Sequence, residues 1–209
     1  MTEEVSVADA RAATEGKDTL ARGDALVVID VQNDFVPGGS LAVPLGDEVV
    51  PVLNRYIAAF SAAALPVVAT RDWHPADHCS FKPQGGPWPV HCVAGTPGAA
   101  FVPGLALPAT ATLVSKDTER DRNTYSGFAD TDLAARLRAM GARRLFVGGL
   151  ATDYCVLNTV KDALALGFEV RLLTDAIRAV DVQPADGAKA QAEMIRLGAK
   201  PMTLGALGA

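Results

Sequence analysis

An α/β fold is predicted by the sequence, with three α/β/α layers around a central, mostly parallel sheet. Short apolar runs rich in β-branched residues alternate with segments of helical periodicity along most of the chain. The first run, residues 25–31, is almost free of polar side chains, which is typical of a strand buried on both faces. A length of 209 residues with 49% hydrophobic content suffices for one domain with a sizeable core.

The predicted elements follow one another in a regular order. After the strand at 25–31, apolar residues recur at helical intervals and predict an amphipathic helix over roughly 47–64, with Pro51 near its start, where proline is best tolerated. Further strands are predicted at 66–70, 112–115, 144–148 and 170–174, with a weak last strand near 202–204. Helical patterns occupy 132–140, 153–166 and 185–197, and Gly141 and Gly167 follow two of them as helix-ending glycines.

One domain, residues 24–209, is predicted to follow a polar and acidic N-terminal extension, residues 1–23. The extension lacks the apolar stretch of a signal peptide. Residues 98–115 carry no charge, but two prolines and a glycine interrupt them, so they are better interpreted as a buried loop than as a membrane span. We therefore expect a soluble protein without a membrane partner.

The charge and the cysteines narrow the class of protein. A net charge of −5 without any basic stretch argues against nucleic acid as the main partner. The three cysteines, Cys79, Cys92 and Cys155, are odd in number and form no CxxC pair, which favours reduced thiols in the cytoplasm. A homo-oligomer is compatible with the sequence.

Chemically active side chains follow four of the predicted strands. Asp30, Asp72 and Lys116 stand at or just past three strand ends, and the segment 150–155 follows a fourth. In open parallel sheets, ligands bind beyond the carboxyl ends of the strands. We therefore expect an acid, a second acid, an ammonium and a thiol to lie close together there.

Cys155 is the candidate nucleophile. Thr152 or Asp153 can cap the helix that follows, which places Cys155 in its first turn. A helix N-terminus stabilises a thiolate and lowers the pKa of a cysteine, and its free N–H groups can bind an oxyanion. The alternative is a buried structural cysteine.

Asp30 and Lys116 are candidate partners of the thiol. Asp30 ends an otherwise apolar strand, where an unpaired buried charge is costly, so it could take the thiol proton and return it to a leaving amine. The alternative for Asp30 is a capping acid in a turn. Lys116 would pair with Asp30 and favour the thiolate; alternatively it is a surface lysine at a strand end.

All three histidines, His74, His78 and His91, fall within a proline-rich segment, residues 71–111, that has little periodicity. An insertion of this length is usually functional or disordered. Together with Asp72, the histidines offer carboxylate and imidazole ligands that suit Zn²⁺, Fe²⁺ or Mn²⁺ better than Ca²⁺. Loop histidines bonded to backbone carbonyls are the alternative, and Cys79 and Cys92 are assigned structural roles ahead of ligand roles.

Aromatic residues near these positions indicate a flat, apolar ligand. Trp88 is the preferred residue for stacking on such a ligand, although each aromatic side chain has a core position as its alternative. The residues concerned are Phe35, Trp73, Phe81, Trp88 and Tyr125.

Six motifs along the chain resemble those of the isochorismatase-like cysteine hydrolases, and among these the nicotinamidase/pyrazinamidase family. They are IDVQNDFVPGGSLAV (29–43), RDWHPADH (71–78), WPVHCVAGTPGA (88–99), SK (115–116), YSGF (125–128) and GGLATDYCV (148–156). They occur in family order over about residues 24–200. The resemblance implies the isochorismatase-like hydrolase fold, although the polar extension and the weak last strand are atypical.

The resemblance also implies an active site. It implies a catalytic triad of Asp30, Lys116 and Cys155 and an oxyanion hole formed by the amides of Ala151 and Cys155, beside a cis peptide near Leu150–Ala151. It further implies a site for one divalent metal ion at Asp72, His74 and His91, with His78 at a more variable fourth position. Phe35, Trp88 and Tyr125 match substrate-binding positions.

The implied activity is hydrolysis of nicotinamide, and of analogues such as pyrazinamide, to the acid and ammonia through a thioester. An amidase acting on N-carbamoyl compounds is the first rival, and it is not expected to carry the Asp-x-His…His metal set. Cleavage of a vinyl ether, as by an isochorismatase proper, is disfavoured by the presence of Cys155. A binding module on the same fold is the non-enzymatic rival.

Overall fold

The computed structural model describes residues 18–208, so most of the predicted extension lies outside the described residues. The helices and strands are, in chain order, β1 (Asp18–Thr19), β2 (Asp24–Ile29), α1 (Val49–Ala62), β3 (Val67–Asp72), β4 (Thr112–Lys116), α2 (Leu133–Ala139), β5 (Arg144–Leu150), α3 (Leu157–Ala165), β6 (Glu169–Arg178), α4 (Asp186–Arg196), β7 (Lys200–Met202) and β8 (Leu207–Gly208).

Six strands form the central sheet, in the order β4-β3-β2-β5-β6-β7, and every neighbouring pair is parallel. The carboxyl ends of all six strands therefore lie at one edge of the sheet. The most central strands, β2 and β5, pair in register from Asp24 and Arg144 to Ile29 and Gly149. This edge is where the sequence predicts the functional side chains.

Both faces of the sheet are covered, as predicted for three α/β/α layers. Successive residues of β2 enter opposite cores, because strand side chains alternate between the two faces. Leu26 and Val28 pack in the core that contains the apolar face of α1. Val27 and Ile29 pack in the other core, which contains residues of α2, α3 and α4. The α/β fold class is confirmed.

Most elements begin and end within two residues of their predicted bounds, and three differences call for comment. β6 is longer than predicted, because a register shift in its pairing with β5 carries it past the polar pair Thr174 and Asp175. The Asp175 carboxylate is satisfied there by the Tyr56 hydroxyl at 3.1 Å and by the N–H of Leu204 at 2.8 Å. The last strand of the sheet lies at 200–202 instead of 202–204, and the predicted helix 153–166 begins as a π-helical turn, Thr152–Val156, before α3.

A two-stranded parallel pair, β1 with β8, was not predicted. It joins the part of the predicted extension that is described to the C-terminal residues. Asp18 strengthens this connection, because its carboxylate accepts hydrogen bonds from Arg171 at 2.5 Å and from Arg144 at 2.9 Å. Within residues 18–208, no helix combines the length and the apolar character needed to cross a membrane.

Candidate active site

Four strands of the sheet bring the predicted side chains to one place. Asp30 directly follows β2, Asp72 and Lys116 end β3 and β4 and are register partners, and Cys155 lies in the turn after β5. One carboxylate oxygen of Asp30, one of Asp72 and the Sγ of Cys155 all lie within 4.8 Å of one another. The expectation that these groups meet is confirmed.

Lys116 lies at the centre of this group. Its Nζ is 3.0 Å from Oδ2 of Asp30 and 3.6 Å from Sγ of Cys155, and it also donates a hydrogen bond to Oδ1 of Asp72. Its side chain is fully buried. Lys116 is therefore not the surface lysine that the sequence left as an alternative, but the cation of a buried cluster.

Asp30 is held in one orientation by its neighbours. Its φ of 47° lies in the left-handed region, where Asp is tolerated better than most residues. The Thr70 hydroxyl donates to Oδ1 at 2.6 Å, and the N–H of Asp30 donates to the Thr70 carbonyl at 3.2 Å. Oδ2 is thereby left facing Lys116.

The buried charges shift one another's ionisation. Burial raises the pKa of Asp30, although the Lys116 ammonium opposes the shift. Burial by itself would raise the pKa of Asp72, but the opposing effects of Lys116 and His74 are larger, so the pKa of Asp72 is lowered. The pKa of Lys116 lies well above its usual value, because Asp30 and Asp72 outweigh the effect of burial. The Lys116 ammonium therefore lies between two carboxylates, and that of Asp30 is the more easily protonated of the two.

Burial raises the pKa of the Cys155 thiol well above its usual value, and the nearby Lys116 ammonium only partly opposes this. The prediction that the helix N-terminus lowers this pKa is therefore wrong for the buried environment of the structure. A thiol of this kind needs a base close to it. Asp30, whose pKa is raised, is the carboxylate placed to receive the proton.

The peptide bond between Leu150 and Ala151 is cis, as the resemblance implies. Before it, Gly149 has a φ of 127°, and a Cβ at this position would lie 2.1 Å from the carbonyl oxygen of Ile29. Only glycine therefore lets β5 approach β2 so closely at the site. Ala151 and Cys155 both line the adjoining pocket.

Three of the predicted metal ligands converge. One oxygen of Asp72 and one ring nitrogen each of His74 and His91 lie within 4.8 Å of one another, and all three residues are buried. Both ring nitrogens of His74 lack a hydrogen-bond partner. His91 uses Nδ1 to donate to the Pro89 carbonyl at 2.8 Å, which leaves Nε2 for an ion. Unsatisfied buried nitrogens beside a carboxylate fit a divalent cation.

His78 lies beside this group without joining it. Its ring centroid is 4.3 Å from that of His74, but Nδ1 is 2.7 Å from the Ser80 hydroxyl and Nε2 bonds to the Arg122 carbonyl. Both nitrogens are thus used within the protein. The structure does not bring the predicted fourth ligand to the metal group.

A pocket of about 460 Å³, counted with its open mouth, connects the thiol with the metal group. Phe35, Trp88 and Tyr125 line it, as predicted, and the Trp88 indole N–H donates to the Tyr125 hydroxyl at 3.0 Å. Trp73 and Phe81 do not line the pocket: Trp73 packs under the Arg71 guanidinium, and the buried Phe81 packs edge-on against His74 and His91.

The structure adds pocket residues that sequence reasoning missed. Tyr154 is the largest, with its ring 5.1 Å from Trp88 and 5.3 Å from Tyr125. Its position directly before Cys155 in the sequence is the signal that could have identified it as a pocket residue. The other missed lining residues are Leu41, Val43, Ser80, Asp117, Asn123 and Val180.

The remaining cysteines lie outside the site. Cys92 is buried, its N–H donates to Oδ2 of Asp34 at 2.7 Å, and burial raises the pKa of its thiol. Cys79 is partly exposed, and all three cysteines are free thiols. Neither Cys79 nor Cys92 belongs to the metal group, in accordance with the structural roles assigned from the sequence.

Comparison with known proteins gives a consistent result. The isochorismatase domain family matches residues 24–205. The nicotinamidase of Escherichia coli (strain K12) is 42% identical over 201 residues, which cover 86% of this chain and 94% of that protein. The zinc complex of Pyrococcus horikoshii pyrazinamidase has a TM-score of 0.84 at 49% identity, covering 87% of this chain and 99% of the other.

The PnC1 protein of L. infantum, solved with nicotinate, superposes with a TM-score of 0.85 at 38% identity, covering 92% of this chain and 99% of that one. Sequence and structural matches thus span nearly the whole described region and agree with the site geometry. The chain belongs to the isochorismatase family, in its group of nicotinamidases and pyrazinamidases.

Proposed function

We propose that the protein is a metal-dependent nicotinamidase that hydrolyses nicotinamide to nicotinate and ammonia. The observation that carries this proposal is one aromatic-walled pocket that is lined by the Asp72–His74–His91 group and by Cys155, the thiol of the Asp30–Lys116–Cys155 cluster. The similarity to nicotinamidases and to a nicotinate complex supports the choice of substrate.

The first half of the reaction is assigned to the triad. Asp30 takes the proton of the Cys155 thiol, and the thiolate attacks the carboxamide carbon. The backbone N–H groups of Ala151 and Cys155 bind the resulting oxyanion. Asp30 then gives its proton to the amide nitrogen, the carbon–nitrogen bond breaks, and ammonia leaves a thioester on Cys155.

Hydrolysis of the thioester completes the cycle. Asp30 accepts a proton from a water molecule, whose oxygen attacks the thioester carbon. Collapse of the second oxyanion releases nicotinic acid and the thiolate of Cys155. The thiolate takes back the proton held by Asp30, and nicotinic acid loses its own proton to water and becomes nicotinate. Throughout, Lys116 keeps negative charge on Asp30 and on the sulfur electrostatically favourable, since its Nζ lies within 3.6 Å of both.

Asp72, His74 and His91 would hold one divalent ion, whose Lewis acidity supplies an anchor for the pyridine nitrogen of the substrate. Their donor set of one carboxylate and two imidazoles suits Zn²⁺, Fe²⁺ or Mn²⁺. Phe35, Trp88 and Tyr125 would then bind the faces and edges of the ring. Pyrazinamide has the same ring geometry and a nitrogen in the same place, so it should also be a substrate.

A cytoplasmic location and a homo-oligomeric state stay predictions from the sequence.

Ammonia release from a set of amides tests the proposal. We expect release from nicotinamide and pyrazinamide, weak release from benzamide, which lacks the ring nitrogen, and none from N-carbamoylsarcosine. Cys155→Ala should lower turnover by at least about 10³-fold, as expected for loss of a nucleophile, while metal content stays unchanged. Normal turnover by Cys155→Ala would overturn the assigned nucleophile, and binding of nicotinamide without ammonia release would favour a binding module.

A further inference from the structure

The loop after β4, residues 117–125, forms one wall of the pocket through Asp117, Asn123 and Tyr125. It closes on itself where the N–H and hydroxyl of Thr124 both donate to Oδ1 of Asp117 at 2.8 Å. The contacts that fasten the middle of this loop decide where Asn123 and Tyr125 stand relative to the substrate.

Two of those contacts come from residues 72–91, which carry the proposed metal ligands and are called the metal-ligand segment here. The N–H of Cys79 donates to the Arg120 carbonyl at 2.8 Å, and His78 bonds to the Arg122 carbonyl through Nε2. The side chains of Arg120 and Arg122 point outward and are more than half exposed, in ion pairs with Asp77 and Asp130. Exposed ion pairs contribute little, so the two backbone carbonyl contacts hold the loop.

A single tautomer of neutral His78 satisfies every partner of its ring. With the proton on Nε2, the ring donates to the Arg122 carbonyl, and Nδ1 accepts from the Ser80 hydroxyl at 2.7 Å. His78 is fully buried, and its ring is tilted by 33° relative to the nearby ring of His74. To bind an ion, Nδ1 would have to leave the buried Ser80 hydroxyl, or Nε2 would have to give up its part-buried hydrogen bond to the Arg122 carbonyl, and either loss is costly.

The other two histidines show the opposite pattern, because His74 has two unpartnered nitrogens and His91 has one that is unused. We propose that His78 is not a metal ligand but a positioning residue that fastens the 117–125 loop onto the metal-ligand segment. Its effect on the affinity for substrate rests on the proposed function, since it acts by holding Asn123 and Tyr125 against the ring of the substrate.

Two amide substitutions separate the contacts of His78. In His78→Gln, the amide nitrogen can reach the position of Nε2 and still donate to the Arg122 carbonyl. In His78→Asn, the shorter side chain can meet Ser80 but falls short of Arg122. We expect His78→Asn to raise KM for nicotinamide about tenfold, the size expected for losing one buried hydrogen bond, with little change in kcat. His78→Gln should restore most of the affinity.

Metal content and proteolysis test the same idea without turnover. Both variants should retain the metal stoichiometry of the wild-type protein, whereas His91→Ala, the control, should lose the ion. Trypsin should cut after Arg120 and Arg122 faster in His78→Asn than in wild type or His78→Gln, because both exposed arginines lie in the released loop. Thermal unfolding of each variant confirms that it is folded before digestion.

A stoichiometry in His78→Gln as low as in His91→Ala would overturn the proposal and make His78 a ligand. Equal cleavage of the loop in wild type and His78→Asn would also overturn it. If wild type releases no ammonia from nicotinamide but the metal and cleavage results are as expected, the proposed function fails while the role of His78 stands.

Discussion

The Lys116 ammonium lies 3.0 Å from Oδ2 of Asp30, and the side chains of both residues are fully buried. Two buried charges at this distance stabilise each other only while both are present, because either one alone would remain in the interior without solvation. Asp72 adds a second carboxylate on the same ammonium. Lys116 therefore neutralises two acids that have different proposed roles, Asp30 as the catalytic base and Asp72 as a metal ligand.

Replacement of Lys116 by methionine should be costly for both folding and turnover. Lys116→Met leaves two carboxylates buried without their cation, for which we expect a loss of about 3–5 kcal/mol in the free energy of unfolding. Turnover should fall at least about 100-fold, because the thiolate and Asp30 lose their stabilising charge. Urea unfolding and ammonia release measure the two effects. Lys161→Met, which removes an exposed lysine of α3, is the control. Equal stability of the two variants would contradict the prediction.

Gly149 should tolerate no side chain. A Cβ there would lie 2.1 Å from the Ile29 carbonyl oxygen, so Gly149→Ala must push β5 away from β2 at the point where Asp30 and Cys155 approach each other. We expect a loss of roughly 2–4 kcal/mol in the free energy of unfolding, as is typical of backbone strain with a steric clash, together with a lower kcat. Gly104→Ala is the matched control, because its Cβ would meet only Val50 at an ordinary 3.7 Å. A Gly149→Ala variant as stable and active as Gly104→Ala would show that the strands can separate without cost.

Asp18 should contribute a pH-dependent part of the stability. A hydrogen bond from Arg171 outweighs the effect of burial and, with the charges of Arg171 and Arg144, lowers the pKa of Asp18. A carboxyl with a lowered folded-state pKa stabilises the fold above its unfolded pKa of about 3.9, and this contribution is lost as the pH falls through the folded value. Asp18→Asn should therefore be less stable than wild type by about 1 kcal/mol near pH 7, with the difference vanishing at a pH low enough to protonate Asp18 in the folded protein.

Urea unfolding of wild type and Asp18→Asn at a series of pH values checks this dependence. Asp121→Asn removes an exposed carboxylate and serves as the control for the change in net charge. A difference between wild type and Asp18→Asn that persists unchanged at low pH would mean that packing of the β1–β8 pair, and not the ion pair with Arg171, accounts for it.

The sequence predicted that the three side chains of the proposed triad meet, because they stand at the ends of apolar strands whose alternation with helices indicates a parallel sheet. Asp30, Lys116 and Cys155 follow three such strands, and the geometry of a parallel sheet brings strand ends together whatever the loops do. The same reasoning placed Asp72. The residue types made all three histidines candidate ligands, and the choice of His74 and His91 ahead of His78 came from the family resemblance.

What the sequence did not reveal depends on contacts between distant segments. The two-residue strands β1 and β8 have no periodicity of their own and exist because residues 18 and 207 meet. The free nitrogens of His74 and the occupied nitrogens of His78 look alike in sequence, and only the positions of the Ser80 hydroxyl and the Arg122 carbonyl separate them. The high pKa of the Cys155 thiol follows from burial, whose effect is larger than the lowering that the sequence predicted from the N-terminus of the helix.

Removal of the metal should lower thermal stability without unfolding the protein. Asp72 ends a strand of the sheet, and His74 and His91 lie in a segment with its own turns and bridges, so we expect the fold to form without the ion. An ion that binds only the folded state at about 100 times its Kd adds about 2.7 kcal/mol, which corresponds to a rise in Tm of about 5–10 °C for a chain of this size. Dialysis against a chelator should lower Tm by this amount, and Zn²⁺, Fe²⁺ or Mn²⁺ should restore it. His91→Ala, which lacks a ligand, should show the low Tm with or without added ion, and a Tm that responds to the ion as in wild type would place the site elsewhere.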